Sequence, residues 1–306
     1  MAQDSKNLVG DSFRLGNRRQ IYWGRSMAIA FFCAEVGAGT FLVSMFYDFL
    51  PGMIVGLVMT GILKPYFHLT HMGVPLKAWR AFARQDRSWV SRGALSIVVF
   101  VGLGLLYVLH GRLGIEVSPQ LTTVLKGVVV AAGIVVASYQ GLAMAASPSI
   151  TLWSTPFVPV ASLCYAATGG TLTVLALGSL TGALDPAAMP GLTRAAALLL
   201  ALDFVVVRAL LAHARAKSEG GAFSVALLVS GALAERFRNL VILIGLVAPL
   251  LLLVGTEVVG AAQKPLLAVA LISMLVGFYA FRVLLFRAAV FEPITHDLAG
   301  SIGLPR

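Results

Sequence analysis

KPYFHLTHMGVPLKAWRAFARQDRSWVSR, residues Lys64–Arg92, begins inside an apolar run and ends in a dense cluster of cations. At spacings of four and then three residues, Lys64, His68 and His71 share one face of a helix. Lys77, Arg80, Arg84, Arg87 and Arg92 follow on the polar side. The rest of the chain repeats the first half of this pattern, greasy helix, over and over.

Hydrophobic residues make up 58% of the 306, charged residues only 12%, and the mean hydropathy is +0.90. A soluble domain carries about 25% charged residues. Apolar runs predict spans at about 26–47, 52–72, 92–110, 121–145, 157–180, 191–213, 237–256 and 264–287, each long enough for roughly 30 Å of hydrocarbon. The runs are continuous rather than alternating, which excludes a transmembrane β-barrel. Turn residues punctuate them: Pro51-Gly52, Ser118-Pro119, Ser147-Pro148, Pro186 and Pro190-Gly191. The expectation is an all-α polytopic membrane protein with a polar segment at 1–25, eight spans within 26–287 and a tail at 288–306. The first run starts only near Ser26, so no cleavable signal peptide is expected. Four spans precede Ser147 and four follow, which suggests two four-helix bundles in parallel orientation. The residues carry no clear internal repeat.

The net charge of +10 does not point to nucleic acid, because the cations collect at span ends. The N-terminus, the 2–3 loop, the 6–7 connection and the C-terminal end hold 18 of the 23 Lys and Arg residues. The opposite ends hold Arg112, Lys126, Arg194 and Lys264. The positive-inside rule then places both termini and the Lys77–Arg92 loop in the cytoplasm. Residues Ala222–Ala234 are apolar but too short to span, and are expected to lie at the interface or pack as a re-entrant piece. Cys33 and Cys164 fall within spans, without metal or disulfide spacing, and read as small core residues.

Ionisable groups inside spans are functional candidates because their burial is costly. Glu35, within CAEVGAGTF (33–41), and Asp203, near the middle of the sixth span, each read either as a structural partner or as a proton-transfer group. Tyr139 and Gln140 end the fourth span at the depth of His71, where they are either interface anchors or ligand contacts. His71 suits hydrogen bonding to a quinone carbonyl, and His68 reads more simply as structural. Transmembrane haem would need a facing histidine, and only His213 offers suitable depth. A secondary transporter using Glu35, Asp203 and Lys64 is the rival from another class.

HLTHMGVPLKAWRAF with SWVSR resembles the second-span end and following loop of the NrfD-like membrane subunits, the group of DMSO reductase and polysulfide reductase anchors. YQGLAMAASPSITLWSTPFVPVASLCYAATGG (Tyr139–Gly170) resembles their fourth-to-fifth span signature, CAEVGAGTF their first span and NLVILIGLVAPLLL their seventh. The resemblance covers nearly the whole chain. It implies an eight-span protein of the bacterial cytoplasmic membrane that binds ubiquinone or menaquinone, without haem or an iron–sulfur cluster of its own. It implies two partners, a four-cluster ferredoxin-like iron–sulfur subunit and a molybdopterin catalytic subunit, and it puts the quinone-site histidine on His71. Glu35 and Tyr139 are further carry-overs, His68, Gln140 and Lys64 are expected around the ring, and Asp203 or Glu35 would carry protons. Lys77, Arg80, Arg84, Arg87 and Arg92 would dock the iron–sulfur partner. A cytoplasmic loop resembles the sulfite-oxidising and phenylacetyl-CoA-oxidising complexes, which reduce quinone.

Overall fold

The computed structural model describes residues 18–114, 118–258 and 263–292. Most of the 1–25 segment and of the 288–306 tail, His296 included, lies outside the described residues. Within them, eight helices are long and apolar enough to cross a membrane. They are α1 (Arg25–Phe46), α2 (Leu50–His71), α3 (Trp89–Leu113), α4 (Pro119–Ala145), α5 (Phe157–Thr181), α6 (Pro186–Lys217), α8 (Ala234–Thr256) and α9 (Gln263–Arg287), with a short α7 (Glu219–Val229) between α6 and α8. The protein is an all-α polytopic membrane protein, as the hydropathy pattern predicts.

Local chemistry sets the ends. The Ser88 and Ser118 hydroxyls each accept a backbone N–H, from Ser91 and Leu121, at the starts of α3 and α4. Gly114 and Gly182 close α3 and α5 at φ of 65° and 67°, a conformation in which a side chain is strained.

Helices α1–α4 pack around one apolar core and α5, α6, α8 and α9 around another. The bundles join where α1 lies against α5 and α9, and α4 against α5. The α1–α5 crossing is backbone on backbone: a Cβ added to Gly39 would strike the Ala166 carbonyl, and one on Gly170 would strike Gly39. Burial follows from this arrangement. The apolar windows of α1 and α5 are each 72% buried, that of α3 only 17%, so α1 and α5 are the shared wall and α3 presents itself to lipid.

Both described chain ends meet at one end of the molecule. Strand β1 (Arg18–Arg19) pairs antiparallel with β2 (Val290–Phe291), and the Gln20 Nε2 donates to the Phe286 carbonyl at 2.7 Å. Trp23 stacks on Trp153 with ring centroids 4.8 Å apart, and Trp153 Nε1 donates to the Leu285 carbonyl. The end of α2 lies there too, since the Ser26 hydroxyl donates to the Phe67 carbonyl at 2.7 Å. An even number of crossings requires this. Helix α7 does not span; a Cβ on its Gly221 would strike the Ala214 carbonyl, so it packs against the last turns of α6. Ser218, its cap, donates to Glu292 beside β2.

Candidate functional site at the loop end of the second span

Pro65 has no N–H and cannot continue the ladder of α2. The helix widens into a π turn at Met59–Leu63, with the Lys64 N–H reaching back to the Met59 carbonyl. Such turns recur at functional sites. Immediately after it, Lys64 points inward and is only 5% exposed. Its Nζ lies 5.5 Å from the centroid of the Tyr139 ring. That ring is buried and lies on the backbone of Gly93 in α3, where a Cβ would fall within the ring. One turn beyond Lys64, His68 is half-buried with Nδ1 enclosed and unpartnered. His71 closes the helix, half-exposed.

The structure therefore gathers Lys64, His68, His71 and Tyr139 at the end of the first bundle. Gln140, buried beside Tyr139, donates from Nε2 to the Phe31 carbonyl at 3.4 Å and leaves Oε1 unpartnered. Among the described residues no carboxylate pairs with Lys64.

Glu35 sits deeper and is held differently. Arg282 of α9 grips it with two hydrogen bonds, Nε to Oε2 at 3.0 Å and Nη2 to Oε1 at 2.6 Å, both side chains being 1% exposed or less. The same Nη2 donates to Ser162 Oγ of α5 at 2.8 Å. This corrects the charge count: Arg282 is no rim cation but the buried partner of Glu35, and removing it leaves 17 rather than 18 residues on the cationic end. Arg287, one and a half turns on, is exposed and already serves the rim. The signal in the sequence was the position of Arg282 itself, more than a turn inside the apolar run that Arg287 ends.

Asp203 belongs to the other bundle. It is fully buried, accepts from Thr168 Oγ1 at 2.6 Å through Oδ2, and leaves Oδ1 unpartnered. The structure does not bring it to the histidines. His213, the expected depth partner for a haem, packs edge-on against Phe157 at 5.8 Å on the second bundle.

The loop after His71 divides its cations. Lys77, Arg80 and Arg84 are exposed around a 3-10 helix (Pro75–Phe82) that also bares Leu76 and Trp79. Arg87 pairs with its neighbour Asp86 at 2.8 Å. Arg92 folds back, donating to the Gln85 and Asp86 carbonyls and lying 4.6 Å over the Trp89 ring. It braces the loop rather than reaching outward.

A cleft of about 670 Å³, lined by Tyr47, Asp48, Tyr107, Lys126 and Asp185 among others, opens at the opposite end of the molecule. It is broad and solvent-open, and none of the site residues lines it.

The family model of the DMSO reductase anchor subunit (DmsC) matches residues 46–287. The chain belongs to this family. The match runs from the end of α1 to the last residue of α9 and so takes in seven of the eight spans and the cationic loop. No protein of curated function matches the chain. Membership in the anchor family fits what the helices display: a multi-pass scaffold whose polar features concentrate at one end.

Proposed function

We propose that this protein is the quinone-binding membrane anchor of a molybdopterin oxidoreductase complex. It passes electrons between the quinone pool and an iron–sulfur subunit docked on the Lys77–Arg84 surface, which connects to the molybdopterin catalytic subunit. One observation carries the quinone reading. Lys64, with no carboxylate partner among the described residues, and His68, with an unpartnered ring nitrogen, lie beside the flat face of Tyr139, one turn below the exposed cationic loop. Buried polar groups left unpaired cost about 1–3 kcal/mol each, so such a cluster suits a ligand carrying oxygen acceptors.

A quinone at this place, ubiquinone or menaquinone, supplies two-electron, two-proton redox chemistry. The chain's own residues hold and feed it. His71, half-exposed at the helix end, donates to a carbonyl oxygen and exchanges protons with water. Tyr139 forms the floor, and Gln140 Oε1 offers a second polar contact. Exposed Ile62, Tyr66 and Leu69 on the lipid side of α2 border the path from the bilayer. Glu35 and Asp203 are the buried acids available for proton conduction. The paired Glu35 needs Arg282 to release it, whereas Asp203 has a free oxygen.

The orientation proposed is that of the cation count: loop end, termini and partners on the cytoplasmic side of the bacterial cytoplasmic membrane. With that sidedness the complex is of the type that oxidises a substrate such as sulfite or phenylacetyl-CoA and reduces quinone. The test is His71→Ala in the assembled complex. Quinone-linked turnover should fall by at least the 10²-fold that a general acid–base group contributes, while a soluble dye still exchanges electrons with the partner subunits. Survival of both activities would remove His71 from the site.

A further inference from the structure

Among the described residues two cations are buried, and they are treated in opposite ways. Arg282 is neutralised by two bonds to Glu35 and a third to Ser162. Lys64, at 5% exposure, has no carboxylate partner among the described residues. Burying an ammonium without a counter-charge costs several kcal/mol. The Tyr139 ring at 5.5 Å returns at most about 2 kcal/mol of cation–π attraction. Beside the ammonium lies the His68 imidazole with its own unpartnered nitrogen. The π turn that widens α2 just before Lys64 and the missing side chain at Gly93, which lets the Tyr139 ring lie against α3, shape the surroundings. An uncompensated positive charge against a flat aromatic floor is the complement of a planar ring bearing a negative oxygen.

We propose that Lys64 sets the charge preference of this site, so that it takes planar quinonoid rings in their anionic form over the same rings in neutral form. The inference rests on the quinone reading above and adds to it the residue that discriminates. Lys64 supplies the counter-charge, and His68 and His71 contact the ring whichever its charge.

The experiment uses the purified complex in lipid nanodiscs, with two probes of the same shape: 2-hydroxy-1,4-naphthoquinone, anionic at neutral pH, and neutral 2-methoxy-1,4-naphthoquinone. Binding is measured by equilibrium dialysis. A charge-assisted contact predicts that the wild type favours the anion by roughly 10- to 100-fold. Lys64→Met should lose that preference, weakening the anion by far more than the neutral ring, and Lys64→Arg should keep it. Retention of the preference by Lys64→Met overturns the role of Lys64 and leaves the quinone reading standing, as does equal binding of the two probes by the wild type. Binding of neither probe by the wild type overturns both. Should Lys64→Met bind neither ring, Lys64→Arg decides: restored anion preference supports the role and its absence refutes it.

Discussion

Replacing Arg282 by Met would leave the Glu35 carboxylate sealed at membrane depth with its counter-charge gone. The size of the effect follows from the geometry. The pair is bidentate, at 2.6 and 3.0 Å, and each side chain is 1% exposed or less, so water cannot take the place of either partner. Breaking a buried pair by removing one member costs about 3–5 kcal/mol, because the survivor is stranded, whereas removing both members together is often near neutral. Arg282→Met and Glu35→Leu should each lower the melting temperature in detergent by on the order of 10 °C. The double variant should recover most of the loss. The assay is a double-mutant cycle read by intrinsic tryptophan fluorescence, for which Trp23 and Trp153 at the bundle junction are well placed. Single variants that melt with the wild type would refute the reasoning. So would a double variant whose loss equals the sum of the two singles.

Further outcomes follow from other contacts. Gly93→Val, which drives a side chain into the Tyr139 ring, should cost about 1–3 kcal/mol and weaken quinone-linked turnover before it weakens assembly; unchanged turnover would separate Tyr139 from the site. Thr168→Val strips Asp203 of its donor and should destabilise by about 1–3 kcal/mol, while Asp203→Asn should be milder, as thermal melting would register. Charge reversal at Lys77, Arg80 and Arg84 should release the partner subunits at lower salt, whereas Arg92→Ala should mainly loosen the loop, seen as faster proteolysis after Arg84. If Arg92→Ala alone releases the partners, the division of the loop into bracing and docking cations is wrong.

Span positions were legible because hydrocarbon length and apolar composition are local properties, and every expected boundary lies within a turn or so of its helix. The counterpart of Glu35 was not. Nothing in CAEVGAGTF specifies which of the other helices answers its charge, since that depends on how α1, α5 and α9 cross. Arg282 looked like a rim residue only because Arg287 follows it closely. The rule applied to Glu35 and Asp203, that an ionisable group well inside a span needs a partner, applies equally to Arg282. Thr168 shows the same gap, a hydroxyl unremarkable in sequence that becomes the partner of Asp203 through the packing of α5 on α6. By contrast the Lys64–His68–His71 stripe was readable, being a single helix face. Its lack of a carboxylate partner among the described residues could come only from the surrounding helices.

The separation of Glu35 and Arg282 along the chain, 247 residues, has a consequence for biogenesis. At roughly 5–20 residues per second of synthesis, the first helix waits tens of seconds before its counterpart is made. Throughout that interval the nascent protein carries an uncompensated acid that its closing helix must still answer. Chains stopped short of Arg282 therefore keep an acid in the first helix without the partner that the finished fold gives it.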